Sequence, residues 1–175
     1  QSKYSGESLA KDDHSPVTIG DLAIQASVTL ALEELDPGVS LVGEESSQEL
    51  REPSQAELIK RVCEVLEPIH GSIQPDALLA ILDRGQYTPS STADRFWVLD
   101  PIDGTKEYIA GKDEYTLNAA LVIDTVPVLG LVGVPKKNRL FYTFGPGESY
   151  LIELGKTRRI NCSKQQPKGK VVALS

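Results

Sequence analysis

The chain has 175 residues, 40% of them apolar and 25% charged, with a formal net charge of −7. That length supports one domain with a real core, and that balance argues against a disordered chain. The acidic charge disfavours long nucleic acid, which needs a basic footprint; it leaves open a small phosphorylated ligand, because bound divalent cations reverse the sign locally.

No apolar run approaches the roughly 20 residues of a membrane helix, so no membrane association is expected. Residues 1–13, QSKYSGESLAKDD, contain no apolar stretch of signal-peptide type, and the chain has no Met at all. It is therefore expected to begin inside a longer gene product. Cys63 and Cys162 form neither a disulfide framework nor a zinc-ligand spacing, and a reducing, cytoplasmic setting is expected. NCS at Asn161 matches a glycosylation acceptor by its letters and is read as chance.

Residues 1–15 are polar and read as loop, ending in KDDHSP. A helix is expected from Thr18, because Thr18 and Asp21 have the spacing of a capping box and Leu22, Ala26 and Leu30 follow on one face. Asp36-Pro37-Gly38 stops it. VSLVG, 39–43, reads as a short strand ending in EESS. Ser54 and Glu57 offer a second capping box, with a stripe of Leu58, Val62, Val65 and Leu66 that ends at Pro68. PDALLAILDRG, 75–85, reads as a shorter helix with Gly85 just past its end. QYTPSSTAD, 86–94, is loop.

RFWVL, 95–99, is a buried strand that runs directly into DPIDGT, 100–105. TLNAALVI, VPVLGLVGV, RLFYTF, SYLIEL and TRRIN then form a meander, joined by DT, PKKN, GPGE and GK. KVVALS, 170–175, reads as one more strand. Helices followed by a meander imply an α+β fold, with helices packed on a mainly antiparallel sheet.

Carboxylates punctuate these elements. Asp21 lies in the first turn of the first helix, Glu44 and Glu45 follow one strand, and Asp100 and Asp103 follow another. If the two strands are neighbours, Glu44, Asp100 and Asp103 converge. Such a cluster repels itself unless a hard cation neutralises it, and oxygen donors suit Mg²⁺. Pro101 stiffens the hexapeptide, the Ile102 carbonyl adds an oxygen, and Gly104 lets the chain approach a ligand. Thr105 opens a short helix whose first N–H groups can meet a phosphate. Taken singly these features are bland: D-x-x-D is common in turns, a Glu pair is usually solvated, and Asp21 fits an ordinary helix cap. An EF-hand fails, because counting from Asp100 puts Ile102, Thr105 and Gly111 at its third, sixth and twelfth positions. His14 and His70 have no evident role.

The combination is more specific. SPVTIGD, LVGEES and WVLDPIDGTKEYI, in that order, resemble the three signature motifs of the inositol monophosphatase superfamily, whose members are Mg²⁺-dependent, lithium-sensitive phosphatases. KDDHSPVTIGD and the Lys after DGT resemble the 3′(2′),5′-bisphosphate nucleotidase branch, and residues 50–94 resemble its longer insert. The family's usual Ala before the first-motif Asp is Gly20 here, a change expected to matter little. The resemblance implies that Glu44, Asp100, the carbonyl of Ile102 and Asp103 hold two or more Mg²⁺ ions. Glu45 would support a further metal or a water. Asp21 and Thr105 would orient and deprotonate the attacking water, and the N–H groups of Gly104 and Thr105 would bind phosphate. The substrate implied is 3′-phosphoadenosine 5′-phosphate, cleaved to AMP and phosphate; an inositol phosphate or polyphosphate is the alternative, and a non-catalytic metal-binding or regulatory module is the rival of another class.

The resemblance also implies missing parts. The family has a helix before the KDD loop and a C-terminal half with a W-D-x-x-[AG] motif, whose Asp completes the metal site. Residues 1–175 contain neither, and the only Trp is Trp97. The chain is therefore expected to be an N-terminal metal-binding catalytic domain. The C-terminal half is expected to pack on it, over apolar surface beside KVVALS.

Overall fold

The computed structural model describes residues 8–10, 16–38, 40–91, 94–145 and 147–161. Strands β1 (Ser8–Ala10) and β2 (Pro16–Thr18) pair antiparallel and lead into helix α1 (Ile19–Leu35). Both halves of the expected capping box form: the Thr18 hydroxyl accepts from the N–H of Gly20 and Asp21, and the Asp21 carboxylate accepts the Thr18 N–H. The helix ends before Pro37, and strand β3 (Ser40–Gly43) follows.

The second capping box does not form. Pro53 fixes φ one residue early and draws Ser54 into a 3₁₀ turn over Pro53–Gln55, so Ser54 lacks the extended backbone that a cap residue needs. Helix α2 (Ala56–His70) starts after it with no side-chain cap, and continues two residues past Pro68. A proline in a last turn removes a single bond from a helix already anchored by Ile59, Val62 and Leu66. Helix α3 (Pro75–Asp83) ends where expected, but Gly85 is not in the left-handed region. Its role is space: a Cβ there would stand 2.9 Å from Nε2 of Gln25.

The three helices share one core, in which Ile19, Leu22 and Ala26 meet Ile59, Val62 and Leu66 and the α3 residues Leu78 and Leu82. Each fully buried aliphatic side chain there stabilises the fold by about 1.5–3 kcal/mol. Cys63 is half-buried and packs against this core.

After α3 the chain makes strand β4 (Arg95–Asp103), the one-turn helix α4 (Thr105–Ile109), and strands β5 (Thr116–Ile123), β6 (Val126–Val134), β7 (Arg139–Phe144), β8 (Ser149–Glu153) and β9 (Lys156–Ile160). With β3 they form one seven-stranded sheet in the order β3-β4-β5-β6-β7-β8-β9. Only β3–β4 is parallel; every other pairing is antiparallel. The α+β architecture is as expected. Two hairpins turn on residue pairs with positive φ, Asp124–Thr125 and Leu154–Gly155, which is the backbone twist that two-residue loops favour.

Helix α1 lies against β4, where Leu99 and Ile102 are buried. Val98, Val132 and Phe144 stay exposed. A groove of 410 Å³ lined by Val98, Asn118, Val132 and Phe141, among others, reaches Asp100. The strand expected at 170–175 and the surface beside it lie outside the described residues, as do His14 and Cys162.

Candidate metal and phosphate site

Strands β3 and β4 are parallel neighbours with Gly43 opposite Leu99. The Glu44 N–H donates to the Leu99 carbonyl at 3.1 Å, so Glu44 and Asp100 leave the paired region side by side. The DPIDGT stretch is not a plain turn. Strand β4 runs through it, and its register against β5 shifts between Asp100, opposite Asn118, and Asp103, opposite Thr116. Pro101 and Ile102 form the irregularity, a device that re-aims side chains at a sheet edge. The Ile102 side chain is buried, and its carbonyl accepts the Thr105 hydroxyl at 2.9 Å, which leaves one lone pair. Asp103 is exposed and accepts from Nδ2 of Asn118 at 2.9 Å. Gly104 has φ +93, and a Cβ there would stand 2.8 Å from the Glu114 carbonyl oxygen. Backbone conformation alone therefore requires glycine at this position.

Asp21 is buried, with one oxygen committed to the helix cap: Oδ2 accepts the Thr18 N–H at 2.8 Å and the Thr18 hydroxyl at 2.6 Å. Asp21 and Thr105 are not hydrogen-bonded to each other, because the Thr105 hydroxyl is turned to Ile102. Gly20 packs against the DPIDGT corner. A Cβ there would meet Ile102 Cδ1 and the Tyr108 hydroxyl at 3.0 Å each, a tight contact with two side-chain ends that relieve it by moving a few tenths of an ångström.

The electrostatics are those of crowded carboxylates. Asp100 is pushed up to about 7, first by burial, then by the hydrogen bond its protonated carboxyl donates to Glu44 and by the negative charges of Glu44, Asp103 and Asp21. Asp21 is raised by burial and, to a lesser degree, by Glu44, against the lowering effect of its Thr18 bonds. Oδ1 of Asp21 and Oδ1 of Asp100 are buried and have no hydrogen-bond partner. Two orphaned anionic oxygens in one acidic cluster fit a hard divalent cation in chemistry. Among the described residues, though, no three acidic, His or Cys side chains already form a ligand cage: Glu44 and Asp100 touch, while Asp21 and Asp103 act on Asp100 through their charge.

Three contributors, Gln25, Gln86 and Asn118, lie outside the motifs. Gln25, fully buried on α1 one turn after Asp21, binds the Glu45 peptide at both ends: Nε2 donates to the Glu45 carbonyl at 2.6 Å and Oε1 accepts the Glu45 N–H at 2.9 Å. Nε2 of Gln86 donates to the same carbonyl at 2.9 Å. Asn118, which holds Asp103, sits within an otherwise apolar strand. A polar side chain interrupting an apolar face was the available signal for Gln25 and Asn118. Glu45 itself is buried.

The inositol monophosphatase family model matches residues 1–174. The 3′(2′),5′-bisphosphate nucleotidase 1 of Candida albicans is 39% identical over 145 residues, covering 77% of this chain and 39% of that protein. The 3′(2′),5′-bisphosphate nucleotidase of Schizosaccharomyces pombe is 37% identical over 157 residues, covering 84% of this chain and 42% of that protein. The fold is similar to that of an IMPase/NADP phosphatase solved with Mg²⁺ and phosphate, at a TM-score of 0.53 and 17% identity over 87% of this chain and 44% of that one. The chain thus spans about two fifths of the length of the curated relatives it matches. The ordered motifs, the parallel β3–β4 pair that brings Glu44 to Asp100, and a family match over residues 1–174 agree: the chain belongs to the inositol monophosphatase family.

Proposed function

We propose that the protein carrying this chain is a Mg²⁺-dependent phosphomonoesterase that removes the 3′-phosphate of 3′-phosphoadenosine 5′-phosphate, giving AMP and phosphate. The observation that carries the reaction type is the Glu44–Asp100 contact at the joint end of β3 and β4, with a buried, unpartnered Asp100 oxygen beside it. The nucleotide substrate rests on the similarity to the two yeast nucleotidases.

In this reading Glu44, Asp100, the Ile102 carbonyl and Asp103 hold two or more Mg²⁺ ions, and Glu45 supports a further ion or a water. Bound Mg²⁺ supplies the positive charge that eases deprotonation of water near neutral pH and offsets charge on the leaving oxygen. The chain supplies the rest. Thr105 rotates its hydroxyl from the Ile102 carbonyl toward the attacking water, and Asp21 takes the relayed proton on its unpartnered Oδ1. The N–H groups of Gly104 and Thr105 open α4, have no acceptor within the helix, and take the phosphate oxygens. The remainder of the protein packs over the apolar groove that ends at Asp100 and supplies contacts to the nucleoside.

The test is phosphate release by the full-length protein with Mg²⁺, offered 3′-phosphoadenosine 5′-phosphate and inositol 1-phosphate in parallel, with and without lithium. Faster release from the nucleotide, suppressed by lithium, is expected. Faster release from inositol 1-phosphate would keep the mechanism and overturn the substrate. Release from neither would overturn the phosphatase reading in favour of a non-catalytic metal-binding module.

A further inference from the structure

We propose that Gln25 is a positioning residue for metal binding: its buried carboxamide clamps the Glu45 peptide and so sets Glu44 against Asp100. The inference rests on the proposed metal site and concerns a residue outside all three motifs. Three observations carry it.

The first is the clamp. Gln25 offers one donor and one acceptor to the carbonyl and N–H of a single residue 20 positions away, at 2.6 and 2.9 Å, and so holds the peptide units on both sides of Glu45. Glu45 directly follows Glu44, so fixing those units removes the freedom by which Glu44 would swing from its repulsive neighbours. Glu44 is exposed, lies one residue beyond the last β3–β4 pair, and donates its N–H to the Leu99 carbonyl.

The second is the space made for the clamp. A Cβ on Gly43 would stand 2.7–2.8 Å from three atoms of the Gln25 carboxamide, and one on Gly85 would stand 2.9 Å from its Nε2. The two glycines also bond to each other, Gly43 N–H to the Gly85 carbonyl at 2.7 Å. Neither has positive φ, so neither is glycine for its own backbone conformation. Both leave room for the same side chain.

The third is mechanical linkage. Asp21 and Gln25 lie one turn apart on α1, and both are buried. One helix therefore delivers a carboxylate to the cluster and holds the loop that delivers another. A shift of α1 would move both together, which suits a site whose ligands must keep their spacing. A purely structural glutamine would need only to satisfy its own polar atoms; this one spends both on the peptide next to a proposed ligand.

The test uses the full-length protein and reads Mg²⁺ binding directly by isothermal titration calorimetry without substrate, then the Mg²⁺ dependence of turnover. Gln25→Met keeps the volume and removes both bonds. It should weaken Mg²⁺ binding about 10- to 100-fold, the usual effect of losing support behind a metal ligand. At saturating Mg²⁺ its kcat should return to within about threefold of wild type, because the ligands themselves are intact. Gly43→Ala, which displaces the carboxamide while leaving Gln25 in place, should behave the same way. It decides the matter if Gln25→Met shows no cooperative melt. Glu44→Gln, which removes a ligand outright, separates the two levels of the argument. If Glu44→Gln leaves Mg²⁺ affinity unchanged, the metal site itself is wrong. If Glu44→Gln weakens binding while folded Gln25→Met binds Mg²⁺ like wild type, or loses kcat with unchanged affinity, the role given to Gln25 is overturned.

Discussion

Asp100→Asn should make the metal-free protein more stable. The Asp100 carboxyl is pushed up from 3.8 to about 7 by burial and by its acidic neighbours. A carboxyl with a folded pKa above its unfolded value holds its proton more tightly in the native state. The stability this provides is complete below about pH 4 and is lost as pH rises toward 7. At about 1.4 kcal/mol per pKa unit the nominal loss is about 4 kcal/mol. Asp100 is only partly buried, however, and water screens the repulsion, so roughly 2 kcal/mol is the size to expect. Asparagine has the same shape, stays neutral, and can donate to Glu44.

The assay is thermal unfolding of the full-length protein, followed by circular dichroism at about pH 4 and about pH 8, with chelator and with Mg²⁺. Roughly 2 kcal/mol corresponds to a Tm shift of about 4–8 °C in a protein of about 150–250 residues, and to a smaller one in a longer protein. Metal-free Asp100→Asn should therefore melt higher than wild type near pH 8 and close to it near pH 4. Mg²⁺ should reverse the order, since a cation bound only by the native state raises stability by mass action and the variant lacks a ligand. Two outcomes together would refute the reasoning: a variant less stable than wild type near pH 8 without metal, and an undiminished response to Mg²⁺. They would show that Asp100 makes favourable contacts of its own and belongs to no cation site.

Gly104→Ala forces a Cβ onto a residue at φ +93 and to 2.8 Å from the Glu114 carbonyl. It should cost about 2 kcal/mol or more, read as a lower urea midpoint at unchanged slope. Thr18→Ala removes the α1 cap and should cost about 1 kcal/mol in the same assay. It also removes the hydroxyl bond that lowers the Asp21 carboxyl, while the backbone bond stays, so that carboxyl rises further and the acid limb of the pH dependence of kcat/KM moves to higher pH. Thr18→Ser should restore both. The 175-residue chain alone should show little or no turnover beside the full-length protein, since it spans about two fifths of its relatives. Phosphate release at comparable rates would contradict this.

Much of the site was legible because it is written in local chemistry. Thr18 and Asp21 are three residues apart, so their capping box depends on little beyond the helix they start. Each of the paired strand ends is an apolar run followed at once by carboxylates, and parallel neighbours must bring those carboxylates to one edge. What escaped depends on space. Ser54 looks like a cap until Pro53 is allowed to turn the chain first. Gly85 looks like a helix terminator until Gln25 is placed beside it. Gln25 has no local side-chain partner: its place on the apolar face of α1 hints that its amide is buried, but its bonds cross 20 positions, so nothing near it in the sequence says what it holds. The Asp21–Thr105 pair shows the converse. The motifs place both residues in one site, but the Thr105 hydroxyl donates to an acceptor three residues away on its own turn, the Ile102 carbonyl.

The carboxylates are hard to explain as parts of the fold alone. A helix cap needs one acceptor, and Oδ2 of Asp21 provides it; the cap gives no reason to bury Oδ1 without a partner. An aspartate at a sheet end is unremarkable when solvated, yet Asp100 keeps an oxygen away from water while touching Glu44. Each arrangement costs stability, and the helical core of Leu22, Val62, Leu66, Leu78 and Leu82 is what the protein has to offset it. A ligand of opposite charge would remove both costs at once, whereas replacing either residue by a neutral one would remove a single cost and lose the ligand. That asymmetry separates a cation site from a chance gathering of acidic residues. In the first case the metal-free cluster is the least stable state, and the gain from Mg²⁺ must grow as pH rises through the range in which Asp100 loses its proton.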